Sequence, residues 1–130
     1  MLCLLAGAVV APLLADTITL AWTHSVEKVL WEETWRAGPG GLRIVQARVR
    51  GSGAGMDPGP DARLIDGAWV WGPKLPPLRE VILRRSGATA DWRVCIAGAC
   101  RPMDAYVPET ADPVTLTTCS GGKSPETPIR

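Results

Sequence analysis

The densest group of side chains able to do chemistry is Thr23-His24-Ser25-Val26-Glu27-Lys28, which contains the one histidine of the chain. A hydroxyl beside an imidazole suggests a nucleophile, Ser25, with His24 as its base. Adjacent side chains on an extended strand point to opposite faces, however, so these two cannot readily hydrogen-bond to each other. Nor is there a Gly-x-Ser-x-Gly elbow, because Ser52 lies in Gly51-Ser52-Gly53 with no helical pattern behind it. The group reads better as a polar binding surface formed by His24, Ser25, Glu27 and Lys28, with turn residues satisfying backbone groups as the plainer reading. A small periplasmic enzyme or solute-binding protein using His24 with Glu27 is the alternative.

Other patterns in the chain carry weaker signals. Glu27, Glu32, Glu33 and Asp57 offer oxygen ligands, but not at the spacing of an EF-hand calcium loop. Gly51-x-Gly53-x-Gly55, followed by Met56, exposes backbone N–H groups that could cradle an anion, although no helix follows. Gly122-Lys123-Ser124 has the ending of a phosphate-binding loop, but Thr117 stands where that motif requires glycine. One histidine and scattered thiols do not supply zinc spacing either, so neither a metal nor a cofactor is expected. Cys95 and Cys100 flank Ile96-Ala97-Gly98-Ala99, a plausible hairpin loop, and are expected to form a disulfide.

The elements that must position these groups are strands. Ile18, Leu20 and Trp22 alternate with Thr17, Thr19 and Ala21, as one buried face requires. Val29 to Arg36 fits strand or helix; strand is favoured because Gly38-Pro39-Gly40-Gly41 then turns the chain into Leu42 to Arg50. Gly51 to Pro60, with four glycines and two prolines, is a loop. Asp66-Gly67 predicts a tight hairpin between Arg63–Ile65 and Ala68–Trp71, and two more strands are expected within Arg79–Arg85 and Asp91–Ile96. The sum is an all-β domain, a small antiparallel β-sandwich or partly closed barrel of about seven to eight short strands.

Of the 130 residues, 1–15 carry no charge and read as a signal peptide or short N-terminal anchor, placed to contact the membrane, with a buried first strand or helix as the alternative. Residues 16–110 form the expected β domain, and 111–130 a last short strand and a flexible polar tail. With the leader removed, Cys119 would be left unpaired. A net charge of +1 with 21% charged residues gives no long-range attraction to nucleic acid.

His24-Ser25-Val26-Glu27-Lys28, then Trp31-Glu32-Glu33, then Gly51-Ser52-Gly53-Ala54-Gly55-Met56 resemble an uncharacterised bacterial family, a domain of unknown function, over about Ile18 to Met103. Members carry an acidic strand after the first motif and a glycine-rich loop after that. The chain departs from the family in Val29-Leu30, where relatives often have Thr-Pro, and in its cysteines. The resemblance implies an exported chain, periplasmic or membrane-tethered and facing the periplasm. It further implies a non-catalytic accessory or binding module whose genes neighbour TRAP-type solute transporters of the TAXI class. Its partner would be a transporter subunit or a small solute. The candidate binding residues are His24, Ser25, Glu27, Lys28, Glu33, Gly53, Gly55 and Met56, drawn together in space.

Overall fold

The alternation at Thr17–Thr23 decides which side of that strand is dry. In the computed structural model, which describes residues 1–23, 29–50, 61–85 and 90–119, Ile18 and Leu20 are fully buried while Thr17 and Thr23 are exposed. The described residues form eleven strands and one short 3-10 turn, Met103–Ala105. The strands are β1 (Leu2–Ala6), β2 (Val9–Pro12), β3 (Thr17–Thr23), β4 (Leu30–Gly38), β5 (Gly41–Arg50), β6 (Arg63–Ile65), β7 (Ala68–Trp71), β8 (Glu80–Leu83), β9 (Arg93–Ile96), β10 (Ala99–Pro102) and β11 (Val114–Thr118). They form two antiparallel sheets, ordered β2-β1-β11-β8 and β10-β9-β3-β4-β5-β7-β6, a sandwich rather than a closed barrel.

Turn chemistry fixes the hairpins. Asp66 and Gly67 both take positive φ, 49° and 81°, the conformation that matches strand twist in a two-residue hairpin, and Ala97-Gly98 repeats it between β9 and β10. At the start of β5, Gly41 has φ of 120°, and a side chain there would collide with the Leu78 carbonyl. That space is needed because Leu42 and Leu78 exchange backbone hydrogen bonds of 2.6 and 2.7 Å. The β4–β5 register shifts between Thr34 and Trp35, so β5 turns Leu42 and Ile44 inward before the bulge and Ala47 and Val49 after it.

Leu2, Leu4, Val114 and Leu116 of the small sheet, all at 0% exposure, meet Ile18, Leu20, Trp35, Leu42 and Ile44 of the large one. Here the structure corrects the expectation for residues 1–15. They form β1 and β2, a hairpin inside the fold, with β1 paired to β11 from Leu2↔Thr118 to Leu5↔Thr115. The run resembles a leader because Cys3 and Leu5, on the face opposite Leu2 and Leu4, are apolar too and leave no alternation to read. The pairing also brings Cys3 to Cys119, Cα atoms 5.1 Å apart, and they form a disulfide, so Cys119 is not left over. Cys95 and Cys100, opposed in the β9–β10 register, form the second. Strand number rises above seven to eight because residues 1–15 contribute β1 and β2 and the arm after the Cys95–Cys100 hairpin loop forms β10. Residues 120–130, expected as a tail, lie outside the described residues.

A chain begun at Asp16 would lose Leu2, Leu4, Ala6 and Leu13 from the core together with the Cys119 partner, and should show no cooperative urea transition where the full chain shows one. Replacing Cys3 and Cys119 by serine should cost about 4 to 5 kcal/mol, against about 2 for the Cys95/Cys100 pair, because the closed loop is far longer. Urea unfolding of the two double variants under oxidising conditions reads the difference.

Candidate functional site

Antiparallel pairing places several chain segments at one end of the large sheet. Thr23 pairs with Leu30, Trp31 with Val49 and Ala21 with Arg93, so β3, β5 and β10 all finish there, and β4 and β9 begin there. Thr23, the last described residue before 24–28, and Arg50, the last before 51–60, both stand at this end. His24, Ser25, Glu27 and Lys28, with Gly53, Gly55 and Met56, lie outside the described residues. Their described flanks, Thr23, Leu30 and Arg50, stand on adjoining strands of one sheet.

Directly opposed residues in such a ladder share a face, so the register yields rows of side chains. One row runs Trp22, Trp31, Val49, Trp69 and Leu64 across β3, β4, β5, β7 and β6. The next runs Leu20, Glu33, Ala47 and Trp71. Ile18, Leu20, Trp35 and Ile44 belong to the core shared with the small sheet; Trp31, Ala47 and Val49 are buried on the same face but outside that cluster. Trp22 stacks on Trp31 with centroids 5.9 Å apart and 14° between planes, and Trp92 tilts against Trp22 at 4.8 Å.

Within this aromatic frame stands Glu33, the one described member of the predicted binding set. Its neighbour Glu32 faces the other way and lies 3.7 Å from Arg48, so the two carboxylates do not converge on a common ligand. Burial pushes the Glu33 carboxyl above its ordinary range, an effect only partly offset by the hydrogen bond that Trp35 Nε1 donates to it over 3.2 Å. Trp31, at 8% exposure, has a buried Nε1–H without a hydrogen-bond partner among the described residues.

A guanidinium knot fixes the neighbouring wall. Arg85, with its side chain 8% exposed, donates from Nε and Nη2 to the two Asp91 oxygens at 3.0 and 2.6 Å, and from Nη1 to the carbonyls of Pro108 and Ala111 at 2.6 and 2.9 Å. These bonds use the fork geometry that only arginine offers. Arg85 thereby ties the end of β8 to residues 91 and 108–111, which sets Trp92, whose Nε1 donates to the Arg84 carbonyl at 2.9 Å. A depression of about 100 Å³ remains between Trp22, Trp92, Arg84 and Asp91. Neither the knot nor the tryptophan rows is legible in residue spacing: the rows follow from cross-strand register and the knot from contacts through space.

Among the described residues there is no group of three or more His, Cys, Asp or Glu able to hold a metal ion, and no helix is long and apolar enough to cross a membrane. The two disulfides are of the kind formed in oxidising compartments. A family model described as a domain of unknown function, DUF1850, matches residues 18–103. No curated protein and no solved structure matches the chain.

A carboxyl whose pKa is raised on folding takes up protons as the chain folds, so its contribution to stability declines as pH rises from the ordinary glutamate range through the raised value. Glu33→Gln, which keeps an acceptor for Trp35, should therefore raise the urea midpoint relative to wild type at pH 7. The gap should close below the ordinary glutamate range, a comparison made by urea unfolding of both proteins across pH.

Proposed function

Because the chain belongs to the DUF1850 family, we propose that it is a non-catalytic binding module, exported to the periplasm, that assists a TRAP-type solute uptake system of the TAXI class. The observation that carries the binding half of this reading is the placement of Glu33 among indoles, beside the flanks of residues 24–28 and 51–60. Turnover needs a nucleophile or base held against a second reacting group. The described neighbours of Glu33 are aromatic and aliphatic side chains, which orient and desolvate a ligand rather than exchange protons with it.

Support for export comes from the two disulfides. The uptake-system half of the proposal rests on the resemblance at 24–28 and 51–56 and on the gene neighbourhood that this resemblance implies. The surface offered to the transporter or its solute is the same end of the large sheet, with His24, Ser25, Glu27 and Lys28 on one segment and Gly53, Gly55 and Met56 on the other.

The test is capture of the membrane and periplasmic components of a TAXI-type transporter by the immobilised full chain, and by a variant carrying His24→Ala and Glu27→Ala. Wild type should retain them and the double variant should lose them. Equal capture by both would remove this surface from the proposal, and no capture by wild type would overturn the accessory role.

A further inference from the structure

We propose that the outer face of the large sheet, turned away from the small one, docks on an anionic lipid surface. The inference does not rest on the transporter reading. Cross-strand register places Arg36, Arg43, Arg48, Arg50, Arg63 and Arg93 on this face. One row runs Arg93, Ala21, Glu32, Arg48, Val70 and Arg63 across β9, β3, β4, β5, β7 and β6. Arg50 stands two residues beyond Arg48 on β5, and Arg36 and Arg43 oppose each other near the β4–β5 turn. All of these arginines but Arg48 are exposed, and Glu32 is the one acid that the strands place among them. The whole-chain charge of +1 conceals the face, because acids elsewhere, such as Glu80 of β8 with Asp104, Glu109 and Asp112, balance it.

Two features of the face call for an anion. Arg36 and Arg43 are like charges set directly opposite each other, which destabilises a sheet unless counter-charge lies over the pair. Among the described residues neither makes a salt bridge, and Arg36 Nε donates instead to the Thr17 hydroxyl at 3.4 Å. Arg48 is the second feature. Its buried Nε has no hydrogen-bond partner among the described residues, since Glu32 Oε1 lies 3.7 Å away. The single carboxylate on the face therefore leaves even its own neighbour weakly neutralised.

Geometry selects the partner. With strands about 4.8 Å apart and residues rising about 3.3 Å, Arg93 and Arg63 are about 24 Å apart across the sheet, and Arg43 and Arg50 about 23 Å apart along β5. Acidic side chains on one extended segment would follow only one of these directions, whereas an array of phosphate head groups meets both. Between the arginines stand Thr19, Ala21, Thr34 and Val70. These side chains are short, so the guanidinium groups reach a broad surface first. Their planar forks suit phosphate oxygens, and such charges near an anionic membrane add attraction residue by residue.

The full oxidised chain should be sedimented with vesicles of phosphatidylcholine containing about 30% phosphatidylglycerol, and with vesicles of phosphatidylcholine alone. Saturable binding to the first, absent with the second and lost between about 0.05 and about 0.5 M sodium chloride, is expected. Arg36→Ala and Arg43→Ala should each weaken it about fivefold, and together about 25-fold. Neither should lower the urea midpoint, because the pair they break is like-charged. Arg101→Ala removes the same charge from the opposite face, where Arg101 pairs with Val94, and should leave binding within about twofold of wild type. Free glycerol phosphate, a single head group, should not compete at matched phosphate concentration. No binding to anionic vesicles, equal binding by the double variant, or an Arg101→Ala loss as large as that of Arg43→Ala would each overturn the proposal. Displacement by glycerol phosphate would replace the lipid with a free phosphate ligand. Binding to polyglutamate without binding to vesicles would likewise overturn the lipid assignment, in favour of an acidic polypeptide. No transporter is present in the assay, so its outcome is separate from the capture experiment.

Discussion

The antiparallel pairing of β1 with β11 is the constraint on which the other packing rests. It supplies Leu2, Leu4, Val114 and Leu116 to the sandwich, and these cover the inward faces of Ile18, Leu20 and Ile44 on the large sheet. The Cys3–Cys119 disulfide locks that pairing at the end of the ladder, where Cys119 N–H donates to the Met1 carbonyl. Without the small sheet, the inner face of β3, β4 and β5 would expose fully apolar side chains to water, at a cost of roughly 2 kcal/mol for each large one.

The small sheet is four strands and the large one seven, and the difference defines the site. Where the four strands cover the large sheet, its inner side chains are aliphatic apart from Trp35. Towards the ends marked by Thr23, Leu30 and Arg50 they become Trp22, Trp31, Trp69, Trp71 and the single carboxylate Glu33. The bulge opposite Thr34 and Trp35 allows this change of character on one face, since it keeps Ala47 and Val49 inward after Ile44 has already faced the core. The Arg85–Asp91 knot then holds Trp92 against Trp22, so the aromatic wall has a fixed border.

Much of the large sheet was legible in the sequence because its strands display both of their faces. Thr17–Thr23 and Leu42–Arg50 alternate apolar with polar residues, and Asp66-Gly67 marks its hairpin by turn chemistry that few other pairs satisfy. The small sheet was not legible for the converse reason: Leu2 to Pro12 is apolar on both faces, a pattern shared by leaders and buried strands. The same ambiguity reaches the thiols, because Cys119 has its partner only where Cys3 is part of the fold. In the candidate site, Glu33 stands out in the sequence with residues of the 24–28 segment, but what surrounds it depends on cross-strand register, which follows from hairpin geometry and from a bulge marked only by the phase slip at Val45-Gln46. The Arg85 knot joins positions 85, 91, 108 and 111 through space, beyond any spacing rule.

The union of the first and last described strands also sets an order of events. A chain made from its N-terminus presents β1 first, yet β1 finds its long-range partner only when Val114–Thr118 has emerged. The β3–β4–β5 meander of the large sheet joins sequence neighbours and has no such wait. Until the final strand arrives, its inner face stays open and the nascent molecule carries a sticky, half-built sandwich. High contact order of this kind makes for slow completion and exposure to aggregation, so the closing residues act as the keystone of assembly, and their loss from a truncated transcript would be felt at the opposite end of the chain.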